Sequence, residues 1–305
     1  MNGGTAMMRI LGIVGVQICI CVPIIVFQFC KGKEFFSKEY WGYALRIGIP
    51  IVPHYLSGII LNQGDRIMID KMVGKTEVAL YGLAYSIGML VQLFISGMNS
   101  ALTPWMYSKI KKGDIRSMRK VLQLLSVVVV GIAVALMLIS PELVLIFGSP
   151  KYREAVYVIP PVAASVFFIF IYNILSMPQF YYEKTQFLMA ASMAAAGANV
   201  VLNFIFIRLF GYIAAGYTTL ACYMLYSVGH YIVSKQILVN EGIQENLMSP
   251  GFLVACSVFL IGASIICNLI FPYRILRYAI LLASAGLVFW KKELLLKTMA
   301  DIRKK

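Results

Sequence analysis

The sequence predicts an all-α integral membrane protein of about nine transmembrane helices, and three observations predict it. Of the 305 residues, 60% are apolar or aromatic and the mean hydropathy is +0.82, well above the roughly 45–50% apolar content of soluble domains. Charged residues make up only 13% and are gathered into short segments. Between those segments lie apolar stretches of roughly 17–25 residues, the length that carries a helix across about 30 Å of hydrocarbon.

Taken in order, the spans fall at 10–29, 43–64, 78–102, 118–140, 155–177, 186–208, 212–233, 251–271 and 274–290. The first follows Arg9. It is too long for the apolar part of a secretory signal and has no small-residue cleavage site, so it reads as a retained span. The second contains Pro50 and Pro53, each of which removes a backbone donor and predicts a bend. Turn chemistry separates the rest: Gly113-Asp114, Pro141, Gly148-Ser149-Pro150, Gly211, Ser249-Pro250-Gly251 and Pro272. The turn at Gly211 is so short that the sixth and seventh spans form an antiparallel hairpin. Every loop is short, which leaves no room for an inserted soluble domain.

Orientation follows from the basic residues of alternate loops, which divide 17 to 9. The richer side includes Lys109, Lys111, Lys112, Arg116 and the tail from Lys291 to Lys305; the poorer includes Arg66, Lys151, Arg153 and Arg274. Basic loops stay in the cytoplasm, so the C-terminus is expected inside and the N-terminus outside. An external N-terminus raises the expectation that further helices precede this chain.

The net charge of +14 sits in loops and tail rather than on a folded basic face, which points to anionic lipid headgroups and away from nucleic acid. Six cysteines lie in or beside apolar runs without a CxxC pair, and His54 and His230 are the two histidines. Neither zinc nor a disulfide framework is expected, and no cofactor is implied.

Candidate functional residues are polar groups inside apolar spans, because an unpaired polar group in lipid costs several kcal/mol. On the third span Tyr81, Tyr85, Gly88, Gln92, Ser96, Asn99 and Thr103 recur at steps of three and four along one stripe. Such a stripe either packs against another helix or walls a hydrated cavity. On the second, at about 100° per residue, Arg46, His54, Ser57 and Asp65 share a broad face. Arg46 either snorkels to the cytoplasmic side or serves as an intramembrane cation. Asp65 and Arg66 read as lying at the outer end, as a pair or cap, and His54 has no partner nearby in sequence. The fifth span carries Ser165, Tyr172, Ser176 and Gln179 behind Pro160-Pro161, a bent, cavity-lining candidate. Ser192, Ala196, Asn199 and Asn203 share one face of the sixth, where small side chains favour close packing.

Three segments, ALRIGIPIVPHYLSGIILNQGDRIMIDKMVG (44–74), ALYGLAYSIGMLVQLFISGMNSALTPWMYSKIKKGD (79–114) and NVVLNFIFIRLFGYIAAGYTTLACY (199–223), resemble the oligosaccharide flippase branch of the multidrug/oligosaccharidyl-lipid/polysaccharide exporter superfamily, the polysaccharide biosynthesis proteins. The resemblance implies two six-helix lobes around a central cavity and alternating access. It would make residues 43–233 the complete second lobe, residues 1–42 the last helix of an otherwise missing first lobe with a cytoplasmic linker, and 234–305 the terminal pair and basic tail of a fourteen-helix member. Arg208 departs from the apolar or proline residue the family pattern leads one to expect.

The implied activity is translocation, in the bacterial inner membrane, of an undecaprenyl-pyrophosphate-linked glycan. The implied substrate contacts are Arg46 and then Arg66 for pyrophosphate, and Tyr81, Tyr85, Gln92 and Asn99 for sugars, with His54, Ser57, Asp65 and Tyr172 as further lining. A separate N-terminal half is an expected partner, which keeps open a noncatalytic half-transporter. A cation-driven multidrug antiporter would bury carboxylates, whereas each acidic residue here reads as lying near a helix end or in a loop. A membrane enzyme would need a larger external loop than the sequence offers.

Overall fold

The computed structural model describes residues 3–33 and 36–290, and every regular element among them is helical. The helices are α1 (Gly3–Gly32), α2 (Lys38–Met72), α3 (Lys75–Gly88), α4 (Leu90–Lys111), α5 (Ile115–Phe147), α6 (Ile159–Tyr181), α7 (Thr185–Phe210), α8 (Ile213–Asn240), α9 (Pro250–Ile270) and α10 (Arg274–Trp290), with a 3-10 segment at Pro150–Val158 before α6. The protein is an all-α, multi-pass membrane protein. The basic tail expected after residue 290, including Lys304, lies outside the described residues, as does the side chain of Arg9.

Nine spans were expected; among the described residues, seven stretches are long and apolar enough to cross a membrane by themselves. Helix α10 has 17 described residues, short of the roughly 20 that an unaided span needs. Helix α8 is long enough, but Tyr217, Tyr223, Tyr226, His230 and Tyr231 dilute its apolar content. Tyr223, Tyr226 and His230 are nevertheless buried, so their polar groups meet neighbouring helices in place of lipid.

Contacts divide the chain at Ile49 and Pro50. The first unit holds α1 and the beginning of α2. None of Ile10–Gly32 is buried, and a helix that is apolar all round and has no packed face is suited to contact with lipid.

The second unit is built around α6, whose residues are buried almost throughout. Its sequence explains why: Phe167, Phe168 and Phe170 fill space on several sides, and no charge interrupts the run. Two glycines let neighbours approach its first turn. A Cβ on Gly88 would stand 2.6 Å from Val162 Cγ1, and one on Gly216 would stand 3.1 Å from Pro161 Cγ. Helices α7 and α8 form the hairpin expected from the sequence, turning at Gly211 with φ 75°, a conformation glycine adopts without steric cost.

Two further features separate sequence from structure. The stripe expected on one continuous third span is broken at Met89 (φ −83°, ψ 1°), where a single tight turn joins α3 to α4. Tyr81, Tyr85 and Gly88 remain buried, whereas Gln92, Asn99 and Thr103 are half-buried and Ser96 is exposed. Helix α2 runs unbroken through Pro50 and Pro53 to Met72, beyond the expected end at residue 64.

Among the ion pairs of the second unit, two hold a buried cation. Arg277 on α10, buried, grips both carboxylate oxygens of Glu142 on α5 at 2.8 Å and also donates to Leu138 O. Lys109 near the end of α4 reaches Asp114 at 2.6 Å, and Asp114 caps α5 by accepting from Ser117 N.

Candidate functional site

The inner face of α2 within the second unit is set by a step of four: Ser57, Leu61, Asp65 and Ile69 are its buried positions after Pro50. This periodicity places an acidic side chain among apolar neighbours. Asp65 is fully buried and lies seven residues before the end of α2. The expectation that every acidic residue sits near a helix end or in a loop is therefore corrected, because α2 continues past it. The possible pairing with Arg66 is corrected too: Arg66 bonds Gln63 at 3.1 Å and lies over the Tyr85 ring, 5.4 Å from its centroid.

Three helices supply donors to Asp65. Tyr81 on α3 donates to Oδ2, Thr219 on α8 donates to the same oxygen at 2.7 Å, and Asn203 on α7 donates to Oδ1 at 2.5 Å. Asn203 is held in turn by Thr218, which donates to its Oδ1, and it bonds Asn199 at 3.1 Å. As arranged, all three neighbours donate to the carboxyl oxygens.

The three buried charged residues differ in one respect: Lys109 and Arg277 have carboxylate partners, while Asp65 has no cation within ion-pair distance among the described residues. The magnitudes make this tenable. An Asp at mid-membrane costs about 2.5–3.5 kcal/mol on insertion scales, and each hydrogen bond to a charged group returns about 1.5–3 kcal/mol. Three such bonds outweigh the insertion cost without a cation.

A column of polar and aromatic groups continues from this carboxylate. Tyr81 and Tyr85 have ring centroids 5.8 Å apart, Tyr85 donates to Asn62 Oδ1 at 2.6 Å, and Tyr223 donates to the same oxygen at 3.2 Å. Tyr172 stacks on Tyr223 at 6.3 Å and packs against Tyr226 at 4.4 Å. Tyr226 lies 3.0 Å from His54 Nδ1, which lies 2.7 Å from Ser192 Oγ. Beside Tyr226, His230 Nδ1 takes a hydrogen bond from Gln179 Nε2 at 2.8 Å. That leaves His230 Nε2 and Gln179 Oε1 buried without partners among the described residues.

Of the residues expected at the site, the structure joins His54, Asp65, Tyr81, Tyr85 and Tyr172 in this column. Ser57 is buried but bonds its own backbone at Pro53 O. Arg66 flanks the column over Tyr85. Gln92 and Asn99 lie on α4 beyond the Met89 break, each with a buried side-chain oxygen that has no partner among the described residues. Arg46 belongs to the first unit and is exposed. His54, without a partner in its own part of the sequence, finds Ser192 and Tyr226 across the fold.

Sequence reasoning assigned Asn199 and Asn203 to packing and passed over Asn62, Thr218, Thr219 and Tyr223. One signal was available. Asn203 and Thr219 stand eight residues before and after Gly211, so a tight hairpin brings them side by side.

Comparison with known proteins agrees with the resemblance. Residues 5–111 match the polysaccharide biosynthesis protein family. This range holds the first of the three family-like segments and nearly all of the second; the third lies outside it. A protein of the Lsg locus of Haemophilus influenzae is 28% identical over 172 residues, covering 53% of this chain and 41% of that protein. A second protein of the same organism, described as a membrane protein, is 29% identical over 167 residues, 51% of this chain and 40% of its own length. The matches thus span about two-fifths of these relatives. No solved structure matches.

Proposed function

From the family match over residues 5–111 we propose that this membrane protein serves polysaccharide biosynthesis as a translocator, moving a lipid-linked oligosaccharide precursor between leaflets by alternating access. The observation that carries the reading is the column from Asp65 to His54. Helices α2, α3, α6, α7 and α8 hold a carboxylate, tyrosines, amides and imidazoles inside an otherwise apolar bundle, where polar groups mark transport pathways more often than they serve stability. Residues 43–233 act as one lobe of the transporter, and first-lobe helices on the same or another chain complete the cavity. The chain acts as a carrier rather than as an enzyme, and undecaprenyl-pyrophosphate-linked glycan is the substrate class.

One observation favours a second reading. Asp65 is a buried carboxylate with no cationic partner among the described residues, the feature a cation-driven antiporter of the same superfamily requires. Export of glycan and efflux of cationic drugs separate the two.

The test is complementation of a bacterial strain that lacks its flippase, with this chain alone and with co-expressed first-lobe helices. Restored surface glycan in the second case supports the lobe assignment. Restored drug resistance with no glycan exported turns the assignment to the antiporter.

A further inference from the structure

Away from the polar column, a cavity of about 730 Å³ opens between the end of α5, the 3-10 segment and the start of α10. Its wall carries Glu142, Arg153, Glu154, Tyr157, Arg274 and Arg277. Glu142 is fully engaged: Arg277 takes both of its oxygens and Tyr278 adds a bond at 3.0 Å. Arg153 and Arg274 are exposed and have no carboxylate within ion-pair distance among the described residues. Arg277 is 3% exposed, and its Nε has no hydrogen-bond partner among the described residues.

We propose that this cavity binds the phosphodiester of a membrane phospholipid headgroup. Guanidinium groups present paired N–H donors that match phosphate oxygens in geometry as well as charge. Once Arg277 and Glu142 cancel, Arg153, Arg274 and Glu154 leave one formal positive charge on the wall, which a singly charged phosphodiester neutralises. Free phosphate or pyrophosphate would bring surplus negative charge against Glu154.

The rim argues for a lipid as the source. Leu145 on the cavity wall is 54% exposed, and Ile146 and Ile275, next in sequence to the wall residues Leu145 and Arg274, are 72% and 86% exposed, which offers acyl chains an apolar surface beside the arginines. The cavity also lies at the ends of α5 and α10, where headgroups sit beside membrane helices. A lipid held there would tie the terminal helices to α5 beside the Arg277–Glu142 clamp. This inference depends on the membrane assignment and is independent of the substrate translocated.

Native mass spectrometry of the purified chain in a neutral detergent tests it, by titration with phosphatidylglycerol and, in parallel, with a glucosyl diacylglycerol that has no phosphate. Phosphatidylglycerol is expected to give retained adducts and the glycolipid none. Replacing both arginines, Arg153→Gln with Arg274→Gln, should weaken the adduct by at least about tenfold, as expected for the loss of charge-assisted bonds. Lys111→Gln with Lys112→Gln should leave it unchanged. Both arginines are exposed and have no carboxylate partner among the described residues, and Arg274 meets only the Tyr278 ring, 5.5 Å from its centroid, so the melting temperature without added lipid should hold; should the Gln pair fail to fold, Arg153→Lys with Arg274→Lys is expected to weaken the adduct by an intermediate factor. Equal binding of the phosphate-free lipid, or adducts indifferent to the arginines, would overturn the proposal. Displacement of the lipid by millimolar inorganic phosphate would overturn its assignment to a lipid.

Discussion

Asn203 on α7 donates to Asp65 on α2 at 2.5 Å across 138 residues of sequence, and Tyr81 and Thr219 complete the carboxylate's shell from α3 and α8. Each donor should therefore matter to stability. Tyr81→Phe is expected to cost about 1.5–3 kcal/mol, the range for a hydrogen bond to a charged group. Asp65→Leu should cost more, because it removes the acceptor of all three buried donors at once. Thermal melting of the purified variants in detergent checks both, and a Tyr81→Phe protein as stable as wild type would remove the shell's structural role.

Gly88 lies where a side chain would strike α6. With a would-be Cβ 2.6 Å from Val162 Cγ1, Gly88→Ala should destabilise the fold by about 1–3 kcal/mol, the usual cost of overpacking. Val162→Ala should relieve part of that loss in the double variant. Independent, additive losses would show that the contact is not the cause.

Gln92 and Asn99 each carry a buried oxygen without a partner among the described residues. Leu at either position should leave the melting temperature unchanged or raise it, since no internal bond is lost. In a complementing full-length transporter, the same variants should export less glycan if the α4 face is wetted by the transport cavity. Full export would leave these side chains a packing role.

The Lys109 ammonium, bonded to Asp114, holds that carboxyl below the usual carboxylate range. A carboxylate whose pKa is depressed on folding adds stability above its unfolded pKa and loses it as pH falls through the folded value. The start of α5 should thus weaken on acidification below the ordinary aspartate range, and the stability gap between wild type and Asp114→Asn should shrink over the same interval. A gap that stays constant with pH would assign the effect to the Ser117 cap alone.

The 17 to 9 division of basic residues predicts that Lys112 faces the cytoplasm and Lys151 the outside. Single cysteines at these positions, in a background without the native cysteines, should react with an impermeant thiol reagent in intact cells at 151 and not at 112. The reverse pattern would invert the topology.

Sequence by itself determined the class, the helical content and most of the span positions. Lipid makes hydropathy a local property: a stretch is apolar enough to cross or it is not, whatever lies around it. Sequence also marked His54, Tyr81, Tyr85 and Tyr172 as polar groups inside apolar runs, and Asp65 as a candidate at the outer end of its helix. Tertiary structure alone decided what they meet. The continuation of α2 past residue 64 turned Asp65 from a helix-end residue into a buried one, and the break at Met89 separated Tyr81 and Tyr85 from Gln92 and Asn99. Donors from α3, α7 and α8 reach Asp65 over separations of 16, 138 and 154 residues. No periodicity within one helix encodes such pairings, because they depend on which helices pack together and on the rotation of each about its own axis.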